Sequence, residues 1–182
     1  MPRRRFLLLG LGLLVAGAAA LWLFRDRLLT LDATEAAVRQ AFPEVPTVST
    51  HALSVALRDS ARAPLLLDAR QPEEYAVSHL PGALQVDPEA DAATLLATIG
   101  DMANGREVIV YCSVGYRSAK VATRLQEAGL GNVSNLEGSI FRWANEDRPL
   151  VRDGQPMRLV HPYNATWGRL LAPERRAPLT RE

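Results

Sequence analysis

At 182 residues the chain has room for one domain of ordinary size with additions at its ends. Its 21 Lys and Arg nearly cancel its 20 Asp and Glu, so nothing in the charge balance points to a nucleic-acid partner. A single cysteine excludes an internal disulfide and any multi-cysteine metal site, and His51, His79 and His161 stand too far apart in sequence to suggest a metal-ligand pair.

Arg3, Arg4 and Arg5 open the chain, and residues 6–24 (FLLLGLGLLVAGAAALWLF) follow without a charge. As a helix this run extends about 28 Å, near the hydrocarbon thickness of a bilayer. Ala18, Ala19 and Ala20 make a cleavable signal peptide the alternative, but the apolar run continues past them to Trp22 and Phe24, which suit a membrane interface. Residues 1–24 are therefore predicted to be an uncleaved anchor. Three arginines precede the run, against Arg25 and Arg27 beyond it, which favours a cytoplasmic N-terminus. The expectation is a single-pass protein of the inner membrane with its domain on the periplasmic side.

Residues 25–45 are predicted to be a helical linker, with a helix over 30–42 that Asp32 can cap and Pro43 ends. The domain proper is expected over 46–150. It begins with a strand at 45–48 and a short helix at 50–58. The apolar run 65–67 has the mark of a strand buried on both faces of a parallel sheet. An amphipathic helix at 91–99 and an Asn104-Gly105 turn lead to the next apolar run. Beyond it come a helix stopped by Gly129, a strand at 132–136 and a last helix at 140–145. The alternation of strands and helices predicts a mainly parallel sheet with helices on both faces. Residues 151–182 form an extension. Asp153-Gly154 suggests a hairpin, the stretch 161–168 mixes aromatics with turn formers that suit packing or a partner surface, and the end from 173 is expected to be disordered.

The chemistry is concentrated in residues 108–118, VIVYCSVGYRS. An apolar β-branched run ends in Cys112, a short loop with Gly115 follows, and Ser118 opens an alanine-rich amphipathic stretch. Strand, tight loop and helix make half of a βαβ unit, with Cys112 at the carboxyl end of a strand. The backbone through Ser113, Val114, Gly115, Tyr116 and Ser118 can curl round the sulfur with its N–H groups inward. The first turn of the helix adds donors and a positive dipole end. Such a cradle favours a thiolate and lowers the cysteine pKa from its free value of about 8.5, with Arg117 adding a positive charge at the rim. A buried, inert cysteine is the ordinary alternative, and the electropositive strand-loop-helix setting favours the reactive one.

The segment CSVGYRS at 112–118 resembles the active-site loop of the rhodanese family, C-x-x-G-x-R-S in many of its single-domain members. LLLDARQPEEY at 65–75 resembles the family's LLDVRxPxEY, SHLPGA at 78–83 its GHIPGA, and LEGSIFRW at 136–143 its LxGGxxxW. The four lie in the family's order. Ala69 stands for a usual valine, and Ser78 and Ser139 for glycines. The resemblance implies a rhodanese-like α/β fold and a sulfurtransferase activity. Cys112 would take a sulfane sulfur from a donor such as thiosulfate or a persulfide, carry it as a persulfide, and pass it to a thiol or to cyanide. It further implies Arg117 as the contact for an anionic donor, Asp68 and Arg70 as supports of the site, and no cofactor or metal. Two alternatives stand beside this. One is a catalytically silent module that binds partners at the membrane. The other is a cysteine phosphatase or arsenate reductase, although the four residues between Cys112 and Arg117 make a tighter ring than the five of those enzymes.

Overall fold

The computed structural model describes residues 29–179, so the expected anchor at residues 6–24 lies outside the described residues. Among the described residues no helix is long and apolar enough to cross a membrane. The elements are α1 (Leu31–Ala41), β1 (Thr47–Val48), α2 (Thr50–Ala56), β2 (Leu65–Asp68), α3 (Pro72–Val77), β3 (Leu84–Gln85), α4 (Ala92–Ile99), β4 (Val108–Tyr111), α5 (Tyr116–Glu127), β5 (Val133–Leu136), α6 (Ser139–Asn145) and the hairpin β6 (Leu150–Arg152) and β7 (Gln155–Met157).

The first five strands form one sheet in the order β1-β5-β4-β2-β3, and every pairing in it is parallel. β2 and β4 lie at its centre, and all of their residues are buried. Side chains alternate between faces along a strand. Leu66, Ile109 and Tyr111 accordingly join one apolar cluster with Phe141 and Trp143, while Leu65, Leu67, Val108, Val110 and Cys112 join the other with Val121 and Leu125. Continuous apolar runs thus supply both layers of core, and the carboxyl ends of β2 and β4 come out side by side. Trp143 packs in the core as its sequence context suggests, its indole N–H donating to the Pro149 carbonyl at 2.8 Å. His79 has a structural place, stacked on Tyr75 with ring centroids 3.8 Å apart.

Three regions differ from expectation. The cap of α1 is Thr30, not Asp32: the Thr30 backbone is extended and its hydroxyl accepts from the Ala33 N–H at 3.1 Å. Asp32, in the first turn, pairs instead with Arg142. α1 is also no free linker. It lies against the domain through buried Val38, through Arg142 with Asp32 and Glu35, and through Arg39 with Glu137 at 3.0 Å.

α5 starts at Tyr116, two residues before the expected Ser118, because Gly115 in the left-handed region (φ 109°) ends the loop there.

The tail is ordered past residue 173. The hairpin turns through Asp153 and Gly154, both at positive φ, as a two-residue Asp-Gly loop demands. Beyond it, Leu170 and Leu171 enter the core, and Asn145 ties them down by donating to the Leu170 carbonyl and accepting from the Ala172 N–H. Val160 exchanges backbone hydrogen bonds with the 175–177 segment, and Arg175 is buried beside Asp147. A Pro- and Arg-rich stretch reads as solvated in sequence, but here these anchors hold it to the domain.

Candidate active site

Cys112 follows β4 directly and is 2% exposed. The carbonyls of its loop are engaged from behind. Ile140 N–H donates to the Cys112 carbonyl and Phe141 N–H to that of Ser113, both at 3.1 Å, and Asn135 Nδ2 donates to that of Gly115 at 3.0 Å. The Cys112 N–H itself donates to Ser139 Oγ at 3.2 Å. With its carbonyls turned outward, the loop presents N–H groups to the sulfur: Gly115 N donates to Sγ at 3.2 Å. Burial alone pushes the Cys112 thiol up. The Arg117 charge, the Ser118 hydroxyl and amide, and the Gly115 amide outweigh it and hold the pKa below the ordinary thiol value. The Ser118 hydroxyl also reaches Asn135 Oδ1 at 2.7 Å. Arg117 is the largest single lowering influence, ahead of each Ser118 and Gly115 hydrogen bond taken alone. The reason is its partly buried position, where a fixed charge is weakly screened.

Arg117 is held by a residue to which the sequence had assigned no role. Its guanidinium forks onto Glu74, Nη1 to Oε2 at 2.7 Å and Nη2 to Oε1 at 2.9 Å, and Nη2 also reaches Ser113 Oγ at 3.0 Å. Ser113 Oγ donates to Glu74 Oε1 at 3.0 Å. Glu74 is 2% exposed on α3. Burial raises its pKa, but the hydrogen bonds and charge of Arg117 and the Gln71 N–H outweigh that and leave it lowered. The signal that was available is the capping box: Gln71 and Glu74 exchange hydrogen bonds across the start of α3, which turns Glu74 inward while Glu73 stays exposed. Asn135 and Ser139 are likewise visible only in the fold. Ser139 keeps a left-handed backbone (φ 50°) where the family pattern has glycine, and its hydroxyl holds the Cys112 amide.

Ser113, Val114, Gly115, Tyr116, Arg117 and Ser118 thus all surround Cys112, with Tyr116 half exposed at the rim and edge-on to Phe42 at 5.2 Å. Asp68 ends β2, the strand beside β4, and Arg70 follows it. They form a fully buried bidentate pair at 2.8 and 2.6 Å, and Arg70 Nη2 also donates to the Ser78 carbonyl at 2.7 Å. Their structural part is to join the end of β2 to the 78–80 turn, where the Leu80 N–H donates to the Tyr111 hydroxyl at 3.1 Å. Among the described residues no group of three or more His, Cys, Asp or Glu is placed to share a metal ion.

Above the loop lies a cleft of about 550 Å³. Cys112, Ser113, Val114 and Arg117 line it from the loop, α1 lines it with Ala37, Val38 and Ala41, and the tail lines it with Tyr163 and Trp167. Asn164 positions that last pair by accepting from the Trp167 N–H at 3.0 Å.

A thiol at the carboxyl edge of a parallel sheet, set among inward-facing amides and reached through a cleft, defines a class: an α/β protein built for chemistry at one cysteine. The family model of the rhodanese-like domain matches residues 51–146, and the chain belongs to that family. It is 33% identical over 107 residues to a sulfurtransferase of Allochromatium vinosum, a match spanning 59% of this chain and 95% of that one. To the tRNA uridine(34) hydroxylase of Bacillus velezensis it is 32% identical over 95 residues, 50% of this chain and 30% of the relative. The crystal structure of thiosulfate sulfurtransferase from Pseudomonas aeruginosa superimposes with a TM-score of 0.56 at 25% identity, over 67% of this chain and 22% of that one. The chain therefore spans less than a third of these last two proteins. α1 and the cleft residues of the tail lie outside the matched region.

Proposed function

We propose that this chain is a rhodanese-type sulfurtransferase that carries a sulfane sulfur on Cys112. The observation that carries this is the placement of the Cys112 sulfur among the Gly115 and Ser118 amides and the Arg117 charge, at the floor of a cleft. The Cys112 thiolate attacks the outer sulfur of a donor, thiosulfate being the simplest. The new Sγ–S bond forms as the donor's S–S bond breaks, and its electron pair leaves on sulfite. A thiol or cyanide then attacks the terminal sulfur of the persulfide and regenerates the thiolate, a ping-pong course through a covalent intermediate. The loop amides stabilise the negative sulfur at each stage, and residues 113–118 form the donor's contact surface. A silent binding module has no need of such a cradle, and the sulfurtransferase relative supports the enzyme.

Intact-mass measurement after incubation with thiosulfate tests this. A gain of one sulfur atom that is absent in Cys112→Ser is the expected result; a wild-type protein left unmodified by thiosulfate and by organic thiosulfonates alike would refute the transfer function. We also propose that residues 6–24 anchor the chain in the inner membrane with the domain outside the cytoplasm, supported by the uncharged run and its flanking arginines. C-terminal reporter fusions should be active only for a periplasmic reporter, and activity of a cytoplasmic one would reverse the orientation.

A further inference from the structure

The cleft above Cys112 is larger and more apolar than inorganic thiosulfate requires. Its volume of about 550 Å³ falls within the roughly 300–1,000 Å³ of pockets that enclose organic ligands. Beside Val114 and Tyr116 of the loop, its walls come from outside the family-matched residues: Ala37, Val38 and Ala41 of α1 on one side, Tyr163 and Trp167 of the tail on the other. The electrostatics point the same way. Among the described residues lining the cleft Arg117 is the one cation, and its fork is engaged by Glu74 at 2.7 and 2.9 Å, while the Tyr163 ring stacks over its guanidinium at 4.9 Å. With Cys112 as thiolate, the Arg117 charge is shared between the sulfur and Glu74, which is buried beneath the floor. A doubly charged inorganic donor finds the one lining cation already engaged, whereas an apolar body gains by leaving water for these walls.

We propose, resting on the sulfurtransferase function above, that α1 and the tail make this cleft selective for an organic sulfane-sulfur donor with an apolar, ring-sized body, R–SO₂–S⁻ or R–S–S⁻, over thiosulfate. Cys112 Sγ attacks the outer sulfur and forms the Sγ–S bond. The S–S bond to the organic group breaks, and its electron pair departs on the sulfinate or thiolate, so no outside oxidant or reductant enters.

The test is time-resolved loading of Cys112, followed by intact mass on the full chain, with benzenethiosulfonate, methanethiosulfonate and thiosulfate. The first two share head group and charge and differ only in the body. Each rate is taken relative to the same donor's rate with a free small thiol. Benzenethiosulfonate is expected to load on the order of tenfold faster than methanethiosulfonate, with thiosulfate slowest. Trp167→Ala, which removes one wall, and Ala37→Phe, which fills the cleft from an exposed helix position, should each bring the phenyl-to-methyl ratio toward one. Ala37→Phe keeps the test decisive if Trp167→Ala fails to fold. Equal loading by the phenyl and methyl donors, thiosulfate outrunning both, or a ratio unmoved in Ala37→Phe overturns the selectivity while leaving sulfur transfer intact. Failure of all three donors to load Cys112 overturns the transfer function and the selectivity together.

Discussion

The loop at Cys112 and the two segments that wall its cleft meet at one site but are held there by different forces. The loop is fixed by backbone and buried side-chain hydrogen bonds: the amides of Ile140 and Phe141, the amide of Asn135 and the hydroxyl of Ser139 each take one of its groups. α1 is held by ion pairs of Arg142 and Arg39 and by the apolar side chains of Leu31 and buried Val38, and the tail by Leu170, Leu171 and the Asn145 side chain. Exposed pairs such as Arg142 with Asp32 and Arg39 with Glu137 contribute little individually. The part that performs the chemistry is therefore tied into the sheet, whereas α1, which shapes access to it, has a single buried residue. A walled cleft can be altered in such segments without disturbing the cradle.

Breaking the rigid side should have the largest effect. Asp68→Ala leaves Arg70 buried and unpaired, which costs about 3–5 kcal/mol. Denaturant or thermal unfolding should show the loss, and an unchanged transition would mean that the pair does not secure the carboxyl edge of the sheet. Arg117→Ala should act on rate more than on fold. Removing a charge-assisted contact at the sulfur is worth about 1.5–3 kcal/mol, so Cys112 loading should slow roughly ten- to a hundredfold. Arg117→Lys keeps the charge but not the planar fork onto Glu74 and should recover only part of it. Recovery to wild-type rate would show that geometry at this position is unimportant. The smallest effect belongs to the flank. Arg142→Ala should lower global stability by less than about 1 kcal/mol while increasing amide exchange within α1. Unchanged exchange in α1 would place its attachment in its apolar contacts and the Arg39–Glu137 pair.

What could be read from sequence follows the same division. The run of β2, the run of β4, the Cys112 loop and the Asp153-Gly154 turn are local patterns, and each lies where its pattern placed it. Glu74 stayed unassigned because its meaning depends on Arg117, 43 residues further along the chain. α1 reads as a linker because it shows a solvated face and one buried residue; its role depends on where Arg142 and Glu137 come to lie. Tyr163 and Trp167 carry no periodicity, so only the packing of the tail assigns them to the cleft.

The central claim is that the fold holds Cys112 as a thiolate, and the pH dependence of its alkylation in the full chain tests this most directly. A pKa lowered on folding makes the thiolate more populated in the native state than in the unfolded chain at the same pH. The associated stabilisation is complete above the unfolded value of about 8.5 and disappears as pH falls through the native value. The alkylation rate should therefore rise with pH through a midpoint below about 8.5, and this midpoint should move upward in Arg117→Ala. A wild-type midpoint at or above the free-thiol value, unmoved by Arg117→Ala, would contradict the account.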